Sequence, residues 1–166
     1  MVATFVSAAQ ADYEESDNPT SECVAFPSPT IVSAPYLHEI EVQDDRVFIR
    51  TELFNVERTV FMDGRDHPGN EERTNQGHSI GWWEDDALVV ETVSFNDETW
   101  LTDDGSFHTK DLRVIERITR DEDTLEWRAT AHDPEILQKP WELVPRIAQL
   151  TDLEITEAAP CLERDM

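Results

Sequence analysis

The chain has 166 residues, 39% of them hydrophobic, which is enough for one full core and short for two. Thirteen lysines and arginines stand against 37 aspartates and glutamates, a formal charge of −24. A field of that sign repels phosphate backbones and anionic lipid, so nucleic acid and membrane surfaces are poor partners; solubility or a saline habitat is the plain reading of the acidity.

Residues 1–11, MVATFVSAAQA, are small and apolar and end in Ala9-Gln10-Ala11 before Asp12. That is how a secretory leader ends, although no basic segment precedes it. A signal-peptide remnant and a frayed terminus both stay open, and the first gives a periplasmic or secreted protein. No stretch reaches the ~18–20 apolar residues of a membrane-spanning helix, so no membrane insertion is expected and the mature chain reads as soluble. Residues 12–35 carry Pro19, Pro27, Pro29 and Pro35 and read as an irregular arm laid over the core.

Residues 36–166 read as one β domain. Apolar and polar residues alternate over Leu37–Val42, Arg46–Phe54 and Val56–Met62, then over His78–Trp83 and Ala87–Phe95. The same texture returns over Leu112–Thr119, Leu125–Ala131, Trp141–Leu150 and Leu153–Thr156. Acidic pairs such as Asp44-Asp45 and Glu84-Asp85-Asp86 mark the turns. About nine strands at hairpin spacing predict an all-β, antiparallel meander, closed or curled into a lipocalin-like barrel. A β-sandwich is the second choice. Short helical pieces are expected only at Asn70–Thr74 and Glu135–Gln138, the latter between Asp133-Pro134 and Pro140. Cys23 and Cys161 are too far apart for a CxxC motif; in an exported chain they would form one bridge, in a reducing compartment two thiols.

Alternation also orients side chains. Leu112, Val114, Glu116 and Ile118 share the more apolar face of their run, so Glu116 points inward. It is either the partner of an inward arginine or a site acid/base, because a lone buried carboxylate is costly. Leu88, Val90 and Thr92 share a face that can present the Thr92 hydroxyl to a cavity. Arginine outnumbers lysine (Lys110 and Lys139), and its planar fork suits fixed carboxylate pairs; Arg113 and Arg117 are expected to make them.

The loops carry the chemistry-bearing residues. Asp63-Gly64-Arg65 fits a turn that projects Arg65 and His67 ahead of Pro68. Asn96 and Trp100 follow one strand, and His108 precedes another. If these loops meet at one barrel mouth, His67 or His108 can move a proton, with Asp63 or Glu116 orienting the imidazole and Arg65 holding a carboxylate or oxyanion. Trp83 and Trp100 would pack on a ring of the ligand. The competing view makes Asp63–Arg65 a turn lock and the indoles packing.

Several of these residues fall into a longer pattern. DGRxHP is supplied by Asp63, Gly64, Arg65, His67 and Pro68. SxGxWExDTLVVxTxxFNxxTW is supplied by Ser79, Gly81, Trp83, Glu84, Asp86, Leu88, Val89, Val90, Thr92, Phe95, Asn96, Thr99 and Trp100, with Ala87 where threonine is usual. His108, Leu112, Glu116, Arg117 and Arg120 fit HSxxLxxxERxxR, with Thr109 for serine. Asp133-Pro134, Pro140-Trp141 and a late Cys161-Leu162-Glu163 complete it. In these positions the chain resembles a widespread group of uncharacterised bacterial proteins, mostly exported. The segment before Tyr36 matches poorly. The resemblance implies an exported β-rich domain with His67, His108 and the arginine-bearing turn as candidate site residues, and it implies no activity.

No HxH, HxxxH or HExxH spacing links His67, His78, His108 and His132, so no metal is expected. Gly77-His78-Ser79-Ile80-Gly81 matches GxSxG by chance, since no parallel strand and helix flank it. No glycine-rich nucleotide loop is present, so no cofactor is expected. What remains is an exported lipocalin-like protein binding a small hydrophobic or aromatic organic molecule in the barrel. The alternative is a cofactor-independent acid–base lyase or isomerase acting on a small aromatic or alicyclic substrate.

Overall fold

A computed structural model describes residues 17–69, 72–102 and 105–156. The expected leader segment and Cys161 lie outside the described residues, while Cys23 is disulfide-bonded. Nine strands among the described residues form one sheet: β1 His38–Val42, β2 Arg46–Thr51, β3 Val56–Phe61, β4 His78–Glu84, β5 Ala87–Val93, β6 Arg113–Asp121, β7 Thr124–His132, β8 Trp141–Glu142 and β9 Arg146–Gln149. The strand order is β1-β2-β3-β4-β5-β6-β7-β8, and β9 also pairs with β7. The sheet is strongly curled into a half-barrel, as the all-β, lipocalin-like expectation required.

The acidic turns do what their composition suggested. Asp85 and Glu122 take the left-handed backbone that tight hairpins demand. The meander is not antiparallel throughout, however. β3 and β4 run parallel, pairing Val60 with Ser79 and Phe61 with Ile80. The loop 62–77 is long enough for the crossover that a parallel pair needs, and it ends at Gly77, whose φ is +67°.

Two further expectations are corrected. The run Trp141–Leu150 is broken into β8 and β9 around Pro145, which has no N–H to give a ladder. Leu153–Thr156 is no strand; it runs as a tail whose Thr156 Oγ1 donates to Glu52 Oε1 at 3.0 Å. Helical turns lie at Pro19–Glu22, Thr30–Ser33 and Leu53–Asn55 instead of the expected places. Residues 70 and 71 are outside the described set, and Glu135–Gln138 is only a turn, with the Leu137 N–H donating to the Asp133 carbonyl at 2.8 Å.

The concave face holds Val47, Ile49, Val60, Leu88, Val90, Ile118 and Trp127. Ile31 and Val32 of the arm complete this cluster, so the arm supplies core as well as cover. A second cluster of Phe95, Leu101, Leu112, Val114, Ala131 and Leu137 fills the end under the long loops. The curl brings the two ends of the sheet together. His38 of β1 lies with its ring 6.1 Å from Trp127 of β7, although β2 to β6 stand between them in the order.

Candidate functional site

The Asp63–Arg65 corner is a surface lock. Arg65 Nε and Nη2 donate to both Asp63 oxygens, and the guanidinium lies 3.8 Å from the Phe61 ring centre. The Arg65 hydrogen bonds hold the Asp63 pKa down to about 2. His78 stacks on the same Phe61 ring at 5.1 Å, and its Nδ1 meets His67 Nδ1 at 2.9 Å. One imidazole must donate and the other accept. Burial lowers both pKa values; at His67 the Glu91 carboxylate opposes it, and at His78 the charges of His67 and Arg65 reinforce it. His67 Nε2 is buried with no hydrogen-bond partner among the described residues.

The Trp100 and His108 loops do meet. A bridge pairs Trp100 with Phe107, and Trp100, His108, Asp97 and Glu135 line a hollow of about 540 Å³. His108 itself is buried and spoken for. Its Nε2 is 2.7 Å from Thr99 Oγ1 and its Nδ1 is 3.0 Å from the Thr109 carbonyl. A carbonyl can only accept, so Nδ1 carries the proton and Nε2 accepts from the threonine. Neither nitrogen is left for a substrate. Asp133, also buried, accepts from the Thr109 N–H at 2.7 Å and from its hydroxyl, fixing the loop.

Burial pushes the His108 pKa below its ordinary value, against the Thr109 carbonyl and the carboxylates of Asp133 and Asp97. The unfolded chain, with an imidazole near 6.5, therefore binds more protons than the folded one below that pH. Stability that rests on neutral His108 is present above the unfolded value and is lost as pH falls through it. Moving from about pH 7.5 to 5.5 is expected to lower the urea midpoint, and His108→Gln to shrink that loss. A pH dependence untouched by the substitution would contradict this.

The remaining expected residues do not converge on that hollow. Asn96 braces its own loop, with Oδ1 accepting from the Glu98 N–H at 3.3 Å. Thr92 is fully buried and shares a 2.8 Å hydrogen bond with Ser79, so its hydroxyl meets a neighbour rather than a cavity. Trp83 is 54% exposed at the far end of β4. Neither Asp63, Arg65 nor His67 lines the His108 hollow. The Asn96, Trp100 and His108 loops gather beyond His78, where Arg73, donating to the Phe95 and Lys110 carbonyls, ties the end of loop 62–77 to them. The Asp63 corner leaves the sheet toward the other end, since β3 runs parallel to β4, and there the Met62 N–H donates to the Asp45 carbonyl at 2.8 Å.

Glu116 does point inward, where Arg58 meets it. Arg58 Nη1 and Nη2 donate to Glu116 Oε2 and Oε1 at 2.5 and 3.1 Å, and Trp127 Nε1 donates to Oε1 at 3.1 Å. This triad is buried on the concave face. Arg113 and Arg117 pair with Glu91 and Glu84 on the convex face.

The better-built hollow lies at the seam, where β1 faces β7 and β9. Its volume is about 340 Å³, at the small end of ligand pockets. Leu37, Ile40, Leu125, Trp127, Ala148 and Leu150 supply apolar wall, and the tail adds Leu153 and Ile155. Among its polar lining residues His38 and Arg146 are half-buried, whereas Glu39, Arg120 and Asp123 are exposed. His38 Nδ1 is 3.0 Å from Thr51 Oγ1, but His38 Nε2 and Arg146 Nε are buried without a partner among the described residues. Burial lowers the His38 pKa, opposed by the nearby Ala34 carbonyl and reinforced by the charges of Arg146 and Arg58. A larger hollow of about 850 Å³ runs beside the arm, lined by Phe26, Tyr36, Phe54 and Trp141, and no orphaned polar atom lies in its wall.

No protein-family model, curated protein or solved structure matches the chain. The seam therefore rests on its own chemistry. Among the described residues, no group of three or more His, Cys, Asp or Glu side chains is arranged to hold a metal, and no helix is long and apolar enough to cross a membrane. Sequence reasoning passed over His38, Arg58 and Arg146. Arg58 was the most accessible of them, since it alternates with Val56 and Val60 on one face.

Proposed function

We propose that this is an exported small-molecule-binding protein that takes a hydrophobic or aromatic organic molecule into the seam cleft. The single observation that carries the reading is a mostly apolar hollow, walled by Trp127, in which two buried polar atoms have no partner. Buried polar atoms without partners cost about 1–3 kcal/mol each. A site that keeps them does so at a cost that a ligand can relieve. Few, convergent polar groups in an apolar wall are also the common make-up of small-molecule pockets.

Nile red, a neutral dye that brightens in apolar surroundings, tests this directly. The native protein is expected to brighten it saturably. Ala148→Phe, which fills the cleft, is expected to abolish the effect, while Val144→Lys at the rim of the larger hollow leaves it unchanged. Binding that survives Ala148→Phe, or no binding at all, would overturn the reading.

A second reading has one observation in its favour. The His67–His78 pair, with an orphaned His67 Nε2, is the arrangement that an acid–base lyase or isomerase would use to pass a proton. It predicts product formation that falls roughly 10²–10⁴-fold in His67→Ala. The binding reading predicts that no bound molecule is consumed.

A further inference from the structure

We propose that the cleft selects an organic carboxylate, whose head group is taken by Arg146 with His38 as its second polar contact. This rests on the binding reading above and goes on to name the ligand class.

The charge balance sets Arg146 apart. With 37 carboxylates available, a cation should find a partner, and most here do. Arg46, Arg50, Arg58, Arg65, Arg113, Arg117 and Arg128 pair with acids, as does Lys110. Arg73 and Arg120 donate to carbonyls. Among the described residues Arg146 has neither kind of partner, and its Nε is out of reach of water. An arginine held part-buried and unpaired, in so acidic a chain, is a fork waiting for an acceptor from outside.

The surroundings decide which acceptor. Arg58 lies near His38, but its charge is cancelled by Glu116 within the core. Glu39, Arg120 and Asp123 also line the hollow, yet all three are exposed at its rim, and Glu39 is already held by Arg50. Inside there is thus one uncompensated positive charge beside one imidazole. That matches a singly charged carboxylate better than a phosphate monoester with close to two charges. The wall behind is largely aliphatic, from Leu37 and Ile40 on one side to Leu125 and Ala148 on the other, and it suits an alkyl body.

Titration calorimetry with decanoate, decanol and decylamine tests both the cleft and the head group. Simple attraction to a chain of charge −24 favours the amine, so a preference for the carboxylate cannot arise from the overall field. Decanoate is expected to bind roughly 10–100-fold tighter than decanol, the value of a hydrogen bond to a charged group, and decylamine weakest. Arg146→Met is expected to remove that preference while decanol binding stays within a few-fold. Arg146→Lys keeps the charge without the fork and is expected to fall between; it also serves if the methionine variant does not fold. Decanol binding as well as decanoate, or Arg146→Met holding decanoate as the parent does, would overturn the carboxylate assignment and leave the cleft intact. Failure of all three ligands would overturn the binding reading, and this inference with it.

Discussion

Glu116→Ala is expected to destabilise the protein by about 3–5 kcal/mol. The carboxylate is wholly buried and holds both terminal nitrogens of Arg58 and the indole N–H of Trp127. Its removal leaves a guanidinium without its counter-charge in the core and an indole donor without an acceptor. Neither can reach water without opening the curl. The intact pair is worth far less than this loss, because forming it meant stripping two ions of water. Arg58→Met combined with Glu116→Gln keeps an acceptor for Trp127, and it is expected to recover most of what Glu116→Ala loses. Urea unfolding followed by tryptophan fluorescence checks both. A single variant within about 1 kcal/mol of the parent would mean that the triad does not organise the core as the distances imply.

Gly77→Ala is expected to cost about 2–5 kcal/mol, the sum of a left-handed backbone at roughly 1–2 and overpacking at roughly 1–3. At φ +67° an added Cβ would lie 2.6 Å from the Val93 carbonyl oxygen and 2.9 Å from Thr92 Cγ2. The first of these is backbone and cannot step aside. Gly77 is where the long loop re-enters the sheet beside Phe95, so the strain falls on the parallel joint and on the adjacent His78. Gly64→Ala makes the contrast: the same left-handed conformation at φ +75°, with nothing within 4 Å of the new atom, should show only the backbone cost. Equal losses at the two glycines would refute the steric part.

Most of the longer strands were legible because they carry a two-residue alternation, and three of the hairpins turn at acidic residues: Asp44-Asp45, Asp85-Asp86 and Glu122-Asp123. The inward direction of Glu116 followed from its apolar neighbours on β6, and the arginine pairs of β6 from the surplus of acids. The parallel step from β3 to β4 was not legible. A loop of the length of 62–77 permits a crossover, and nothing local says on which side it returns.

The seam was hidden for a sharper reason. Read as one unbroken strand, residues 141–150 put Arg146 on the face opposite Trp141. The break at Pro145 shifts the alternation by one residue, so Trp141 pairs with Ala131 and Arg146 with Trp127, both inward. His38 could be placed on the face of Ile40 and Val42, but its neighbour Trp127 is reached only through the curl of the whole sheet. The loop histidines drew attention because they sit in a dense motif. In the folded chain His108 spends both nitrogens on holding that loop.

The joint between β3 and β4 has a mechanical meaning. It divides the sheet into an antiparallel unit of β1 to β3 and another of β4 to β9, joined in register only at Val60–Ser79 and Phe61–Ile80. The two jaws of the cleft belong to different units: His38 and Ile40 ride on the first, Trp127 and Arg146 on the second. The Arg58–Glu116 bond is a strut between them, reaching from β3 to β6. Amide hydrogens flanking the joint should therefore exchange before those in the middle of either unit, and a guest seated in the cleft should slow them from a distance by clamping the jaws.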